Sequence, residues 1–212
     1  MLTLYYNPGS CSLASHAALE EAGIEHRLVK IDLAAGANEA PEYLEKNIWG
    51  RVPALEVDGI ILTENIAILS YIADRAEQGT LLPPIGSFER IRALEWLALL
   101  SSTVHVAFRP LFRPGRLATT EAGQADVAAV GLASLNRTLA ALERKIGEST
   151  YALGERISLV DLYLFVFLLW MQRPVLAGKL EPRPGLDALC ERLVDRPSIR
   201  RAMVAEGLIQ TA

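Results

Sequence analysis

Every convincing strand signal in this chain lies before residue 64, which confines the fold to a small α/β unit followed by helices. Residues 2–6 are rich in β-formers and stop at the turn cluster Asn7-Pro8-Gly9. Residues 11–22 carry good helix formers with Leu13, Ala17 and Ala18 on the apolar side, and Gly23 stands where a glycine closes a helix. Residues 26–31 predict a second strand, 33–38 a loop, and 41–46 a short helix opened by Pro41. Residues 54–57 and 60–62 predict two strands joined by an Asp58-Gly59 hairpin turn, and 64–76 a helix. The order β-α-β-α-β-β-α predicts a mixed sheet with helices on its faces. After it, Pro83, Pro84 and Gly86 mark a linker over 79–87, and the rest reads as helices at 88–106, 121–146, 158–171, 185–194 and 197–206. The expected organisation is a sheet domain over 1–78 and an all-helical domain over 88–212.

Composition excludes several functions. A net charge of −4 offers no concentrated basic surface for nucleic acid. With 51% hydrophobic residues in 212, the chain can bury a large core. The apolar stretch 162–171 is too short to span a bilayer, and residues 1–6 lack the basic start of a signal peptide, so no membrane association is expected. The two cysteines, Cys11 and Cys190, are far apart, which fits a reducing, cytoplasmic setting. No Cys or His pair has metal-ligand spacing, so no metal is expected.

Three segments carry chemistry. Cys11 stands at the first turn of a helix following a strand, where unpaired N–H groups and partial positive charge favour a thiolate. The alternative is a small apolar residue at a helix start. No second cysteine gives CxxC spacing, so redox chemistry would need an outside thiol. Arg51-Val52-Pro53-Ala54 precedes a strand; with a cis Val52–Pro53 bond, Val52 could offer its N–H and C=O to an extended peptide. An ordinary strand start is the alternative. Thr63-Glu64-Asn65-Ile66 opens a helix whose N–H groups can hold a carboxylate, with Glu64 taking an ammonium group; ordinary capping is the alternative. One ligand satisfies all three segments, a short acidic peptide with a central thiol, which describes glutathione.

The motifs 5–14, 52–55 and 62–68 resemble the thioredoxin-like domain of glutathione transferases, bacterial beta class in detail. Gly86-Ser87-Phe88-Glu89-Arg90, Ser101-Ser102 with His105, residues 158–165 and 205–209 extend the resemblance over nearly the whole chain. It implies that Cys11 lies beside the glutathione sulfur and that Val52 pairs with the cysteinyl backbone next to cis Pro53. It implies that Glu64 and Asn65 hold the γ-glutamyl end, with Tyr6, Ser10 and Arg51 completing the glutathione site. It also implies a histidine facing the cleft at His105, and a homodimer. Two departures stand out. Asn65 replaces a common serine, and Gly36 stands where the class tends to carry a lysine near the glycyl end.

The group contacting the sulfur is left open among Cys11, Ser10 and Ser12. His105 is a catalytic candidate or a core residue. Phe108, Phe112 and Trp170 are candidates for an apolar electrophile pocket. His16 and Cys190 read as structural, and Ser158-x-x-Asp161 reads as a capping box with Ile157 and Leu162 as its staple. The expected activity is conjugation of glutathione to small apolar electrophiles. The alternatives are a glutathione-dependent thiol–disulfide reductase using Cys11, which would reduce small mixed disulfides rapidly, and a non-catalytic interaction protein, for which Gly36 is the one supporting feature.

Overall fold

The computed structural model describes residues 1–77 and 80–210; the domain end expected at residue 78 and the linker start at Gly79 fall outside them. Strands β1 (Leu2–Tyr6), β2 (His26–Lys30), β3 (Ala54–Val57) and β4 (Ile60–Thr63) form one sheet in the order β2-β1-β3-β4. β2 is parallel to β1, with Leu4 opposite Leu28, and the other pairings are antiparallel. A parallel neighbour needs a crossover, which α1 (Ser12–Ala22) supplies. The β3–β4 turn places Asp58 and Gly59 at φ 49° and 86°, the paired positive values of a type I′ hairpin. With α2 (Pro41–Leu44) and α3 (Asn65–Arg75), this is the thioredoxin-like order read from the sequence, and the expected loop adds a short 3-10 turn at Ala37–Glu39.

The helical part comprises α4 (Phe88–Leu99), α5 (His105–Phe112), α6 (Glu121–Ile146), α7 (Leu159–Met171), α8 (Pro184–Val194) and α9 (Pro197–Ala205). The helix expected to end at 106 instead continues to Phe112, through a π-helical turn at Leu100–Val104 and over Pro110. Proline inside a helix forfeits a backbone hydrogen bond. Here its ring packs onto Gly131 of α6, where an added Cβ would lie 2.4 Å from Pro110 Cβ. Packing between α5 and α6 overrides the local preference. The rod Phe88–Phe112 is also long and apolar enough to cross a membrane by length and composition, which the sequence reading overlooked. Its burial is one-sided: Ala93, Trp96, Leu97, Leu100, Val104 and Phe108 enter the core, while Arg92, Glu95 and Arg109 face out. That is the pattern of a helix packed on protein.

One continuous apolar cluster runs from Leu4, Leu13 and Ile68 to Leu97, Phe108, Phe165 and Ile199, so the two parts share a core. The other sheet face carries a smaller cluster of Tyr5, Ile31, Tyr43, Val52 and Ala54. α1 is the hub, packing on α3, α7 and α9. Glu21 at its end is held by Arg196 and Ser198. Leu81 and Leu82, in the expected linker, are buried, and the Leu81 carbonyl accepts from Leu159 N–H at 3.0 Å. The Ser158–Asp161 capping box is present, and Cys190 is buried as expected.

Candidate active site

Thr120 and Ser87 cap α6 and α4 with their side chains, and Ser158 caps α7. The N-cap residues of α1 and α3, like those of α2, α5, α8 and α9, give no side-chain cap, but Ser12 N–H at the start of α1 donates to Ser10 Oγ at 3.3 Å, which leaves the start of α3 as the open one at the site. Uncapped first-turn N–H groups are anion sites, so ordinary capping does not account for Thr63-Glu64-Asn65. Glu64 precedes α3 at φ 68°, a conformation that costs a non-glycine residue about 1–3 kcal/mol. Its side chain is exposed.

These two helix starts are joined. Asn65 Nδ2 donates to the Cys11 carbonyl at 2.8 Å, and Ser15 Oγ donates to Asn65 Oδ1 at 2.7 Å. The expectation that the Asn65 side chain grips a ligand carboxylate is therefore corrected. Its polar atoms are spent binding α3 to α1, and the backbone N–H is what remains for a ligand.

The Val52–Pro53 peptide bond is cis. The Arg51 carbonyl before it accepts from Tyr43 Oη at 2.6 Å and Asn47 Nδ2 at 2.8 Å, which fixes the segment. The Cys11 thiol donates to the Val52 carbonyl at 3.3 Å. Burial pushes that thiol up to about 12, and the Glu64 carboxylate adds to the rise, against the lowering by its own backbone N–H and by Arg51. Desolvation and a neighbouring carboxylate thus oppose the helix field that the sequence leads one to expect at Cys11, and its thiol is placed as a hydrogen-bond donor.

Several expected site residues do other work. Ser12 is fully buried; its hydroxyl accepts from Asn7 N–H at 3.1 Å and pairs with Ser10 Oγ at 2.8 Å, so it shapes the loop rather than meeting a sulfur. Ser10 keeps partial exposure. Tyr6 is buried beside His16, ring centroids 6.0 Å apart, and offers little surface to a ligand. Phe108 is fully buried. Trp170 is nearly so, and its indole N–H donates to the Gly9 carbonyl at 2.9 Å. Neither lines an open pocket. Phe112 alone of the three keeps partial exposure, with the Arg173 guanidinium over its ring at 5.1 Å.

His105 packs edge-on against Trp170, centroids 5.1 Å apart, and is half-buried. Burial pushes its imidazole down to about 4, with Arg109 and Arg51 adding to the effect, so it is neutral at pH 7. The unfolded side chain protonates below about 6.5, the folded one only near 4; this group's contribution is present above pH 6.5 and is lost as the pH falls towards 4. The loss is about 3 kcal/mol at most, reduced by the partial exposure. Denaturant titrations at pH 7 and pH 4.5 should show a smaller difference for His105→Gln than for the parent protein.

Arg51 is a cation near the cleft whose charge bears on both Cys11 and His105. Gly36, in place of the expected lysine, has φ 74°, a left-handed conformation that disfavours any side chain.

The sequence reading missed what holds the Cys11 loop. Gly9 N–H donates to Glu206 Oε2 at 2.8 Å, and the Gly9 carbonyl also accepts from Arg173 Nη2 at 2.7 Å. The one available signal was an acidic residue, Glu206, at the end of an otherwise apolar turn of helix.

The profile of the glutathione S-transferase N-terminal domain matches residues 1–74, and that of the C-terminal domain matches residues 99–197. Glutathione S-transferase GstA of Escherichia coli O157:H7 is 36% identical over 209 residues, covering 98% of this chain and all of GstA. The beta-class glutathione S-transferase of Sphingomonas chungbukensis is 38% identical, with a TM-score of 0.84 over 98% of this chain and 100% of that one. A sphingomonad glutathione S-transferase solved in complex with glutathione matches equally, at 38% identity and TM-score 0.84 over the same shares. A thiol at one helix start, a carboxylate at another and the carbonyl of a cis X-Pro bond within reach of the thiol thus stand in a chain alike over nearly its whole length to these enzymes, and it belongs to the glutathione S-transferase family.

Proposed function

We propose that the protein is a glutathione transferase that conjugates reduced glutathione to small apolar electrophiles in the cleft between Cys11, Val52, Glu64 and His105. The observation that carries this reading is the Cys11 thiol at the start of α1 and the exposed Glu64 at the uncapped start of α3, on either side of the carbonyl of the cis Val52–Pro53 bond. Glu64 takes the γ-glutamyl ammonium group, and the first N–H groups of α3 take its carboxylate. The Val52 carbonyl accepts the cysteinyl N–H, and Arg51 faces the glycyl carboxylate that Gly36 cannot reach.

Such binding frees Cys11. Its thiol now donates to the Val52 carbonyl; once a ligand N–H occupies that oxygen, the thiol can turn to the glutathione sulfur. A neutral thiol, with the N-terminal field of α1, stabilises a thiolate beside it by a charge-assisted hydrogen bond. Glutathione is then the nucleophile, and attack on an electrophile held near Phe112 and His105 forms the carbon–sulfur bond. The same neutrality weakens the reductase reading, which needs Cys11 as a thiolate. We also propose that the protein is a cytoplasmic homodimer; the exposed apolar side chains Phe88 and Ile91 of α4 and Val130 of α6 support the dimer. Sedimentation should give twice the chain mass.

Calorimetric titration with glutathione, followed by conjugation to an activated aryl halide, tests the activity. One saturable site per chain is expected. A hydrogen bond to a charged partner contributes about 1.5–3 kcal/mol, so Cys11→Ala should lower turnover roughly 10- to 100-fold and move the pH–rate profile upward, while Cys11→Ser, which keeps a donor, should recover most of the loss. Absence of saturable glutathione binding would refute the reading.

A further inference from the structure

Of the chain's three histidines, His16 in α1 and His26 at the start of β2 lie together away from the role given to His105, their rings near perpendicular with centroids 5.5 Å apart. Glu20 follows His16 by one helical turn, on the same face of α1. One ligand atom from each of His16, Glu20 and His26 lies within 4.8 Å of the other two. The sequence reading expected no metal because the third member comes from a different element.

The hydrogen bonds decide which atoms are free. His26 Nδ1 lies 2.8 Å from the Ile24 carbonyl, which can only accept. Nδ1 therefore carries the proton, and Nε2 presents a lone pair. His16 Nδ1 lies 3.0 Å from Glu206 Oε1, which by the same reasoning leaves a lone pair on Nε2. His16 Nε2 is buried with no hydrogen-bond partner, in a residue with no exposed surface. A buried polar atom without a partner destabilises a fold, and a bound ligand would relieve that. His26 Nε2 stands 4.0 Å from Glu20 Oε1, beyond hydrogen-bond range, and the other Glu20 oxygen is taken by Arg201 Nε at 2.5 Å.

We propose that His16 Nε2, His26 Nε2 and Glu20 Oε1 form a binding site for a zinc-class divalent ion, with water as the fourth ligand. Two imidazoles and a carboxylate suit such an ion. In both histidines the far nitrogen is held by an oxygen acceptor, the arrangement that sets tautomer and ring orientation in metal sites. Bonds of about 2.0–2.1 Å require ligand atoms about 3.3 Å apart, so the group must contract. His16 is fixed in the core. The side chains of His26 and Glu20, 8% and 22% exposed, lie nearer solvent and are the ones to close. Glu20 and Glu206 balance the ion's charge. Arg201, the opposing cation, is 56% exposed and can swing away. A bound ion would clamp α1 to β2 and, through Glu206, stiffen the loop at Gly9.

The test uses tag-free, reduced, chelator-treated protein without glutathione, titrated with Zn²⁺ by calorimetry and with Co²⁺ by visible absorption. One equivalent per chain should saturate it, with the intense visible bands of low-coordinate Co²⁺ and a raised melting temperature. His26→Ala and Glu20→Gln should each weaken binding at least tenfold, and Cys11→Ser should leave it within twofold. His16→Ala opens a buried hole, so the two more exposed positions carry the test. No saturation near one equivalent would overturn the proposal, leaving His16 with its structural contact to Glu206 alone. So would binding unchanged in the His26 and Glu20 variants, or abolished in Cys11→Ser.

Discussion

Asp161→Ala is expected to lower the stability of the whole chain by about 3 kcal/mol or more, the largest loss from any single side chain considered. Asp161 is fully buried at the start of α7. One carboxylate oxygen accepts from Ala152 N–H at 2.7 Å, the other from Ser158 N–H at 2.8 Å and Ser158 Oγ at 2.9 Å. Alanine leaves the buried Ser158 N–H without a partner, at a cost of about 1–3 kcal/mol, strands the half-buried Ala152 N–H as well, and removes half of a capping box. α7 is buried along most of its length and carries Trp170, which reaches the Gly9 loop. Loss of its start therefore propagates to the shared core. For a chain of this size the melting temperature should fall by about 10 °C or more. Asp161→Asn should recover part of the loss at best, because an amide brings donors to a place where donors already converge. A fall of less than about 1 kcal/mol in denaturant titrations would mean that water replaces the carboxylate.

At Glu64 stability and function should move in opposite directions. Its φ of 68° is strained for a side-chain-bearing residue, and the carboxylate is exposed at an uncapped helix start. Glu64→Gly relieves the strain and should raise stability by about 1 kcal/mol, the gain being trimmed by glycine's greater freedom when unfolded. The same change removes the partner proposed for the glutathione ammonium group and should weaken glutathione binding about 10- to 100-fold. Glu64→Ala separates the two effects: it should lose the same affinity without the gain in stability. Calorimetry and thermal melts on both variants give the comparison. Undiminished glutathione binding in both would remove Glu64 from the site.

Much of the fold was legible because its signals are local. The Asp58-Gly59 turn, the left-handed Gly23 that ends α1 and the Ser158–Asp161 box each involve residues within a few positions of one another. Their geometry follows from sterics and hydrogen bonding of adjacent residues, whatever surrounds them. The extension of the α4–α5 rod over Pro110 was not legible, since it depends on Gly131 of another helix. The site divides in the same way. Its parts could be picked out as helix starts and an X-Pro step, whereas their states could not.

By itself, then, the sequence determined the succession of elements, the glycine and proline punctuation and the residues able to meet a thiol tripeptide. Tertiary structure decided the rest. It set the Cys11 thiol against the Val52 carbonyl and near Glu64, where desolvation and charge oppose its ionisation. It spent Asn65 and Ser12 on holding helices and loop, and turned Trp170 from a pocket wall into a clamp on Gly9. It set Glu206 on that same glycine and on His16, and brought His26 against His16 and Glu20. Desolvation, charge proximity and hydrogen-bond partnership depend on distances between residues remote in the chain, and only the packed molecule sets those distances.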